Sequence, residues 1–322
     1  MKAIALVSGG LDSLLAAKII QGQEIEVIGM RFNIPFYIRK PSSFNTPDLE
    51  IIREDIGSEF LKIVLNPSHG FGSNINPCID CKILMLTSAR GLMPKLGAKF
   101  IITGEVLGQR PMSQHKRALD TIAREAGLEG LVLRPLSARL LSQTIPEKEG
   151  WVDRNRLFDI NGRGRKTQIR LAAQLGIKEY AQPAGGCLLT DPAFSARLKD
   201  LILNKELSGD KIELLKIGRH FRLSPQLKLI VGRNESENKE LQVLAQKGGY
   251  LFAPLNIAGP AALVKGELDE GAIGLCASIV ARYCDKNGDE YVEVAFSDAL
   301  LGKERIIKAL PLEEKKLSIF RV

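Results

Sequence analysis

The 322-residue sequence predicts an α/β fold, a doubly wound and mostly parallel sheet, followed by a second, smaller α+β domain. Three observations predict this. Short apolar runs alternate with longer segments of helical character. The first run, AIALV at 3–7, stops at the turn SGGLDS and passes straight into a helix-like stretch. Beyond about residue 205 the regular alternation ends, and strands and helices follow in mixed order.

In chain order, the strand-like runs of the first part are 3–7, 26–32, 62–65, 100–105 and 131–136. The helix-like stretches between them are 12–21, 47–56, 81–97, 113–127 and 166–176. A strand, a helix and another strand in succession form a right-handed crossover between parallel strands. Ligands of such sheets bind beyond the carboxyl ends of the strands. That edge would hold Ser8–Ser13, Gly104–Gln109 and the loop after Leu136. Residues 137–165 read as irregular and end in NGRGRK, a basic, glycine-containing loop that suits phosphate as well as it suits plain solvation. A helical stretch at 191–203 is expected to close a first domain of residues 1–205. In the second, 206–322, strands are expected at 227–232, 250–255 and 290–296, and helices at 235–248 and 269–284.

Composition narrows the function classes. No apolar run approaches the ~20 residues of a membrane-spanning helix, and the start lacks a secretory pattern, so a cytoplasmic protein with no membrane partner is expected. Five cysteines in so long a chain do not form a secreted disulfide framework. Residues 206–322 hold 17 Lys+Arg against 17 Asp+Glu, so the whole net charge of +8 lies in residues 1–205, with 28 basic and 20 acidic residues. A basic surplus attracts polyanions, nucleic acid among them.

The chemistry starts at the first turn. A strand, a glycine turn and a helix aim backbone N–H groups at an anion. Gly9 and Gly10 permit close approach, Ser8 and Ser13 add hydroxyl donors, and Asp12 in the first helical turn suits Mg²⁺. The Lys of G-x-x-x-x-G-K-[ST] is absent, as is G-x-G-x-x-G, so neither the common mononucleotide loop nor a dinucleotide is indicated.

The cysteines are the second feature. NPCIDCK places Cys78 and Cys81 on one face at a helix start, and Cys187 stands far off in AGGCLLTDP. Three thiols suit an iron–sulfur cluster with one open iron. Zinc with His69, Asp80 or His115 as fourth ligand is the competing alternative. A redox pair with Cys187 as a small core residue is the third reading. Cys276 and Cys284 read as buried thiols.

SGGLDS resembles the PP-loop of the N-type ATP pyrophosphatases. Together with CIDC, TGEVLGQRPMSQ and GGCLLTDP, it is similar to the tRNA thiolation branch of that superfamily, most of all to the 4-thiouridine synthases. The likeness covers about residues 1–200. It implies a Rossmann-like fold of the PP-loop/HUP type and an ATP-dependent tRNA sulfurtransferase. In such an enzyme ATP adenylates a uridine carbonyl, pyrophosphate leaves, and sulfur displaces AMP. It further implies that Ser8, Gly9, Gly10, Asp12 and Ser13 hold pyrophosphate and Mg²⁺, while Gly104, Gln109 and Ser113 line the nucleotide or base side. Cys78, Cys81 and Cys187 would hold a 4Fe–4S cluster, with zinc as the alternative, and Asp12 and Cys187 would be catalytic. Arg110, Arg163 and Arg165 would meet tRNA phosphate, and sulfide or a persulfide-carrying protein would donate the sulfur.

The loop begins at residue 8, so the RNA-binding module that usually precedes it in 4-thiouridine enzymes is not expected, nor is a rhodanese domain. GRHFRLSPQLKLIVGRNESENKEL, Gly218 to Leu241, resembles instead the RNA-binding domain of the NFACT proteins, with Arg219, His220, Arg222 and Arg233 as the RNA-facing set. A structural domain that makes a homodimer is the alternative for that half. For the whole chain the alternatives are a PP-loop ligase that adenylates a small acid or amide, and a non-catalytic RNA-binding adaptor with a degenerate ATP site.

Overall fold

The computed structural model describes residues 1–37, 49–180, 187–285, 291–298 and 302–322. The chain forms two compact units, Met1–Asp191 and Pro192–Val322. The first contains β1 (Lys2–Leu6), α1 (Leu11–Gln21), β2 (Glu26–Asn33), β3 (Ile51–Asp55), α2 (Gly57–Leu65), α3 (Cys78–Leu96), β4 (Ala98–Thr103), α4 (Lys116–Glu125), β5 (Val132–Leu133), α5 (Ile145–Lys148) and α6 (Lys166–Gln174). Among the described residues its sheet has five strands in the order β3-β2-β1-β4-β5, all parallel.

This is a Rossmann-like, doubly wound sheet. In β1, Ala3 and Ala5 pack with α1 and with Leu171 and Ala172 of α6. Ile4 and Leu6 are buried with the opposite parity, and α3 packs against β1 and β4. A strand buried on both faces reads as the continuous apolar run seen in the sequence. The strand order reverses between β1 and β4, so the crevice at their carboxyl ends is the expected ligand site.

Two expected elements are exchanged. Residues 47–56 read as a helix, but 51–55 form the edge strand β3, and residues 47–48 lie outside the described ones. Residues 62–65 read as a strand, but they complete α2. Both follow from non-local contacts. Gly29 of β2 pairs with Ile51 and donates its N–H to the Glu50 carbonyl at 2.7 Å. A Cβ on Gly29 would stand 2.4 Å from Ile51 Cδ1 and 3.2 Å from the Glu50 carbonyl oxygen, so a larger residue here would have to displace the Ile51 side chain. In α2, Gly57, Phe60 and Val64 are buried at helical spacing, and Phe60 meets Phe36 with ring centroids 5.6 Å apart.

The second unit contains α7 (Pro192–Leu203), α8 (Gly209–Leu214), β6 (Arg219–Ser224), β7 (Leu227–Val231), α9 (Glu235–Ala245), β8 (Tyr250–Pro254), β9 (Ala262–Lys265), α10 (Glu270–Arg282), β10 (Val292–Asp298), β11 (Lys303–Ala309) and α11 (Glu314–Phe320). Its antiparallel sheet has the order β11-β10-β8-β9-β7-β6. Alternate residues of β7 serve two cores. Leu229 and Val231 pack with α10, while Ile230 packs with Leu241 and Ala245 of α9.

The helix expected to close the first domain belongs to the second, so the division falls earlier than residue 205. Its Asp200 accepts hydrogen bonds from Arg222 at 2.9 and 2.7 Å and from Lys228 at 2.6 Å, and Arg197 donates to the Leu215 carbonyl. Among the described residues no helix is long and apolar enough to cross a membrane.

Candidate phosphate-binding and thiol site

The loop after β1 is built as its composition suggests. Gly9 adopts a left-handed φ of 80°, which lets the chain turn from strand to helix within the four residues between Leu6 and Leu11. Ser13 Oγ donates to the Gly10 carbonyl at 2.7 Å and lies 3.4 Å from Ser8 Oγ, and the Gly10 N–H donates to Ser8 Oγ at 3.3 Å. Gly10 caps α1 without a side-chain bond, and Asp12 is the acidic residue of the first helical turn.

The segment after β4 lies directly against this loop. A Cβ on Gly104 would stand 2.5 Å from both the Asp12 carbonyl carbon and the Ser13 nitrogen, so glycine alone permits the contact. Gln109 Nε2 donates to Asp12 Oδ2 at 3.1 Å. The other carboxylate oxygen, Oδ1, is buried without a hydrogen-bond partner. An orphaned, buried carboxylate oxygen beside a serine-lined loop fits a hard divalent cation.

Sequence reasoning missed the group that holds this segment. Glu105 is fully buried. It accepts from Arg134 Nε at 3.1 Å and from Thr103 Oγ1 at 3.1 Å, and lies 3.8 Å from Lys82 of α3. Burial alone would raise its pKa, but Lys82, Arg134 and the hydrogen bonds outweigh it and hold the carboxyl below its ordinary value. The signal was present as an acid in TGEVLGQ and an arginine in LRPL, yet nothing local says they pair. Ser113 is buried beside this segment.

The segment also ties down the basic loop. Leu107 bridges to Asn161, and the Gly162 N–H donates to the Leu107 carbonyl at 2.8 Å. Arg163 is exposed on that loop, and Arg165 keeps a buried Nε without a partner.

The three cysteines gather around Tyr37, which bridges to Cys187 through the backbone. Burial raises the Cys78 thiol, with Arg110 and Lys82 opposing. Burial raises Cys81 far above its ordinary value, reinforced by Cys187 and Cys78. Cys187 is pushed up to about 11, chiefly by burial, with Arg110 opposing. Arg110, expected on tRNA phosphate, thus lies where its charge acts on the thiols. All five cysteines are free. The two glycines preceding Cys187 lie outside the described residues.

Three soft thiols in one neighbourhood fit an iron–sulfur cluster or zinc in donor chemistry. Among the described residues, however, no three His, Cys, Asp or Glu side chains stand in ligating positions. The residues considered as a fourth zinc ligand are committed elsewhere. Asp80 accepts from the Ser68 and His69 amides and from His69 Nδ1; His69 Nε2 meets Glu125 at 3.2 Å; and His115 Nδ1 caps α4 by accepting from the Ala118 N–H.

His69 therefore pins the loop before α3 to the helix that carries both cysteines. Burial lowers its pKa, but the hydrogen bonds and charges of Asp80 and Glu125 raise it more, so the net shift is upward. Its contribution to stability is complete below the unfolded value of about 6.5 and is lost as pH rises through the folded one. Urea midpoints measured upward from pH 6 should fall for the native protein, and His69→Gln should flatten that slope.

In the second unit the expected RNA-facing set is corrected in two places. His220 is buried, donates its Nε2–H to the Ile217 carbonyl at 2.7 Å, and is pushed down to about 3, chiefly by burial. Arg222 is only 13% exposed and is held by Asp200 and by Glu206 at 2.6 Å. The sequence shows the charge of Arg222 but not the carboxylates of Asp200 and Glu206 that α7 and the following loop bring against it. Arg219 lies over the Tyr283 ring, 4.6 Å from its centroid, and donates to the Gly232 carbonyl; Arg233 pairs with Glu237 one helical turn away.

Residues 218–321 match the family of the NFACT protein RNA-binding domain. The chain is 28% identical over 119 residues to a "Probable tRNA sulfurtransferase" of Thermococcus kodakarensis, a match that covers 34% of this chain and 30% of that relative. Among solved structures it is similar to a 4-thiouridine synthetase–RNA complex with bound ATP, at 17% identity and a TM-score of 0.36, covering 67% of this chain and 52% of that one. It is also similar to the C-terminal part of a fibronectin/fibrinogen-binding protein from Streptococcus suis, at 15% identity and a TM-score of 0.29, covering 49% and 76%. The chain thus resembles the tRNA thiolation branch of the PP-loop ATP pyrophosphatases and carries, at residues 218–321, a region that matches the NFACT RNA-binding domain.

Proposed function

We propose that the protein is an ATP-dependent tRNA sulfurtransferase that adenylates a uridine carbonyl and replaces its oxygen with sulfur. The observation that carries this reading is one short segment. Gln109 binds Asp12 of the phosphate loop, and its neighbour Arg110 acts on Cys78 and Cys187. The segment that reaches Asp12 thus also acts on two of the candidate thiols, which supports an oxygen-for-sulfur exchange.

In this reading Ser8, Gly9, Gly10 and Ser13 would hold the leaving pyrophosphate, and Asp12 would hold Mg²⁺, which would offset the charge of the phosphates. The AMP ester turns a carbonyl oxygen, a poor leaving group, into a good one. Glu105, bound by Arg134, keeps the segment from Gly104 to Arg110 at a fixed height against the loop, which serves alignment. Cys78, Cys81 and Cys187 are the residues that would hold a 4Fe–4S cluster, whose chemistry is to carry sulfur at an open iron. Because burial keeps these thiols protonated, loading a metal would release protons. Arg163 and Arg165 are the candidates for tRNA phosphate in this reading, and residues 218–321 are the candidate for a further RNA contact.

Mass spectrometry of tRNA nucleosides from a deletion strain tests the reading. A thiolated uridine should disappear, return with the native gene, and stay absent with Cys187→Ser or Cys78→Ala. Protein purified without oxygen should be brown and lose its visible absorption in the same variants. An unchanged nucleoside profile defeats the sulfurtransferase; a colourless protein with bound zinc defeats only the cluster.

A further inference from the structure

The second unit holds a depression of about 350 Å³ that the phosphate and thiol site does not use. It is lined by Asn256, Ile257, Tyr291, Val292, Glu293 and Lys308. Three pieces of chain meet there. Asn256 follows β8, Tyr291 precedes β10, and Lys308 of β11 stands directly opposite Glu293 of β10. The Leu255 N–H donates to the Glu293 carbonyl at 3.0 Å, which fastens the segment after β8 to β10. We propose that this depression binds one unpaired base of an RNA strand, with guanine preferred; the proposal rests on the reading of residues 218–321 as an RNA-binding domain.

Each wall has the chemistry for that occupant. Tyr291 is 66% exposed, an unusual state for a ring with no polar task on the surface, and an exposed ring is a stacking platform for an unstacked base. Val292 is buried and Ile257 packs on the core, so the floor is apolar and firm. Asn256 Nδ2 donates to Glu293 Oε2 at 3.1 Å, which orients the carboxylate. A fixed carboxylate accepts from a base edge that presents N–H donors, and the Watson–Crick edge of guanine presents two side by side. Lys308 is 73% exposed, and its Nζ is 3.7 Å from Glu293 Oε1, longer than a firm hydrogen bond, so its charge remains available to a phosphate. The volume lies at the small end of ligand pockets, roughly 300–1,000 Å³, which suits a single nucleotide and not a helix.

Anisotropy of labelled six-nucleotide RNAs on the full chain tests this. Tyr291→Ala should weaken binding of a guanine-containing single strand by roughly tenfold, the scale of one lost base–aromatic stack. Tyr291→Phe should stay within about twofold of native. Lys308→Gln should lower the slope of log K against log salt by about 0.7. Glu293→Gln should abolish the preference for guanine over uridine. Tyr291 and Lys308 are exposed, so these variants should melt as the native protein does. Native-like binding by Tyr291→Ala overturns the proposal, as does binding of free GMP as tight as that of the oligonucleotide. Loss of thiolated nucleosides in the deletion strain is read independently, so a failure here and a failure of the sulfurtransferase reading are distinct results.

Discussion

Asp12→Asn should lower the single-turnover rate of uridine thiolation by roughly 10²–10³-fold, the scale of several kcal/mol that a well-placed divalent cation contributes. The amide keeps the side chain's shape. Gln109 can still bind it through the remaining oxygen, so the loop should keep its form. What disappears is the negative charge at Oδ1, the buried oxygen without a protein partner. Rates measured across a Mg²⁺ titration separate this from a loss of folding, since the variant should need more Mg²⁺ while its urea midpoint stays close to native. A native rate at native Mg²⁺ would remove Asp12 from the reaction.

Glu105→Ala should destabilise the first unit by about 3–5 kcal/mol, because it leaves the Arg134 guanidinium buried without its carboxylate. The hydroxyl of Thr103 loses its acceptor in the same step. The pH dependence has a definite sign. The folded pKa of Glu105 lies below its ordinary value. Its contribution is therefore complete above the unfolded value of about 4.3 and is lost as pH falls through the folded one. Urea denaturation of the native protein should lose stability in acid, and Glu105→Gln should lose less over the same range. If Glu105→Ala unfolds at the native midpoint, the buried pair is not what holds the segment after β4.

The parts of the site that were legible in sequence are those whose chemistry is local. SGGLDS declares a turn and a helix start within six residues, and the structure forms both. CIDC at the start of α3 is legible for the same reason, since spacing along a helix decides which side chains share a face. The edge strand β3 and helix α2 were read in exchanged roles because their apolar spacing satisfies either period over so few residues. The pairing of Ile51 with Gly29, distant in sequence, decided between them. Arg222 and His220 read as outward-facing in sequence because the carboxylates that hold Arg222 lie elsewhere in the chain and because the burial that keeps His220 neutral is not a local property. Asp200 arrives on a helix that sequence alone assigned to the other domain.

The sequence by itself therefore determined the parallel α/β architecture, the glycine turn between the first strand and helix, the three candidate thiols and the presence of a second, mixed domain. Each follows from periodicity, from residue type or from spacing within a few turns of chain. Only the tertiary structure decided that Gly104 admits the loop against the β4 segment and that Gln109 leaves one oxygen of Asp12 free. It alone placed Arg110 among the thiols and buried Glu105 on Arg134. The physical reason is common to all four. Close backbone approach and the balance between burial and charge depend on which distant segments share one volume, and no local pattern encodes that distance.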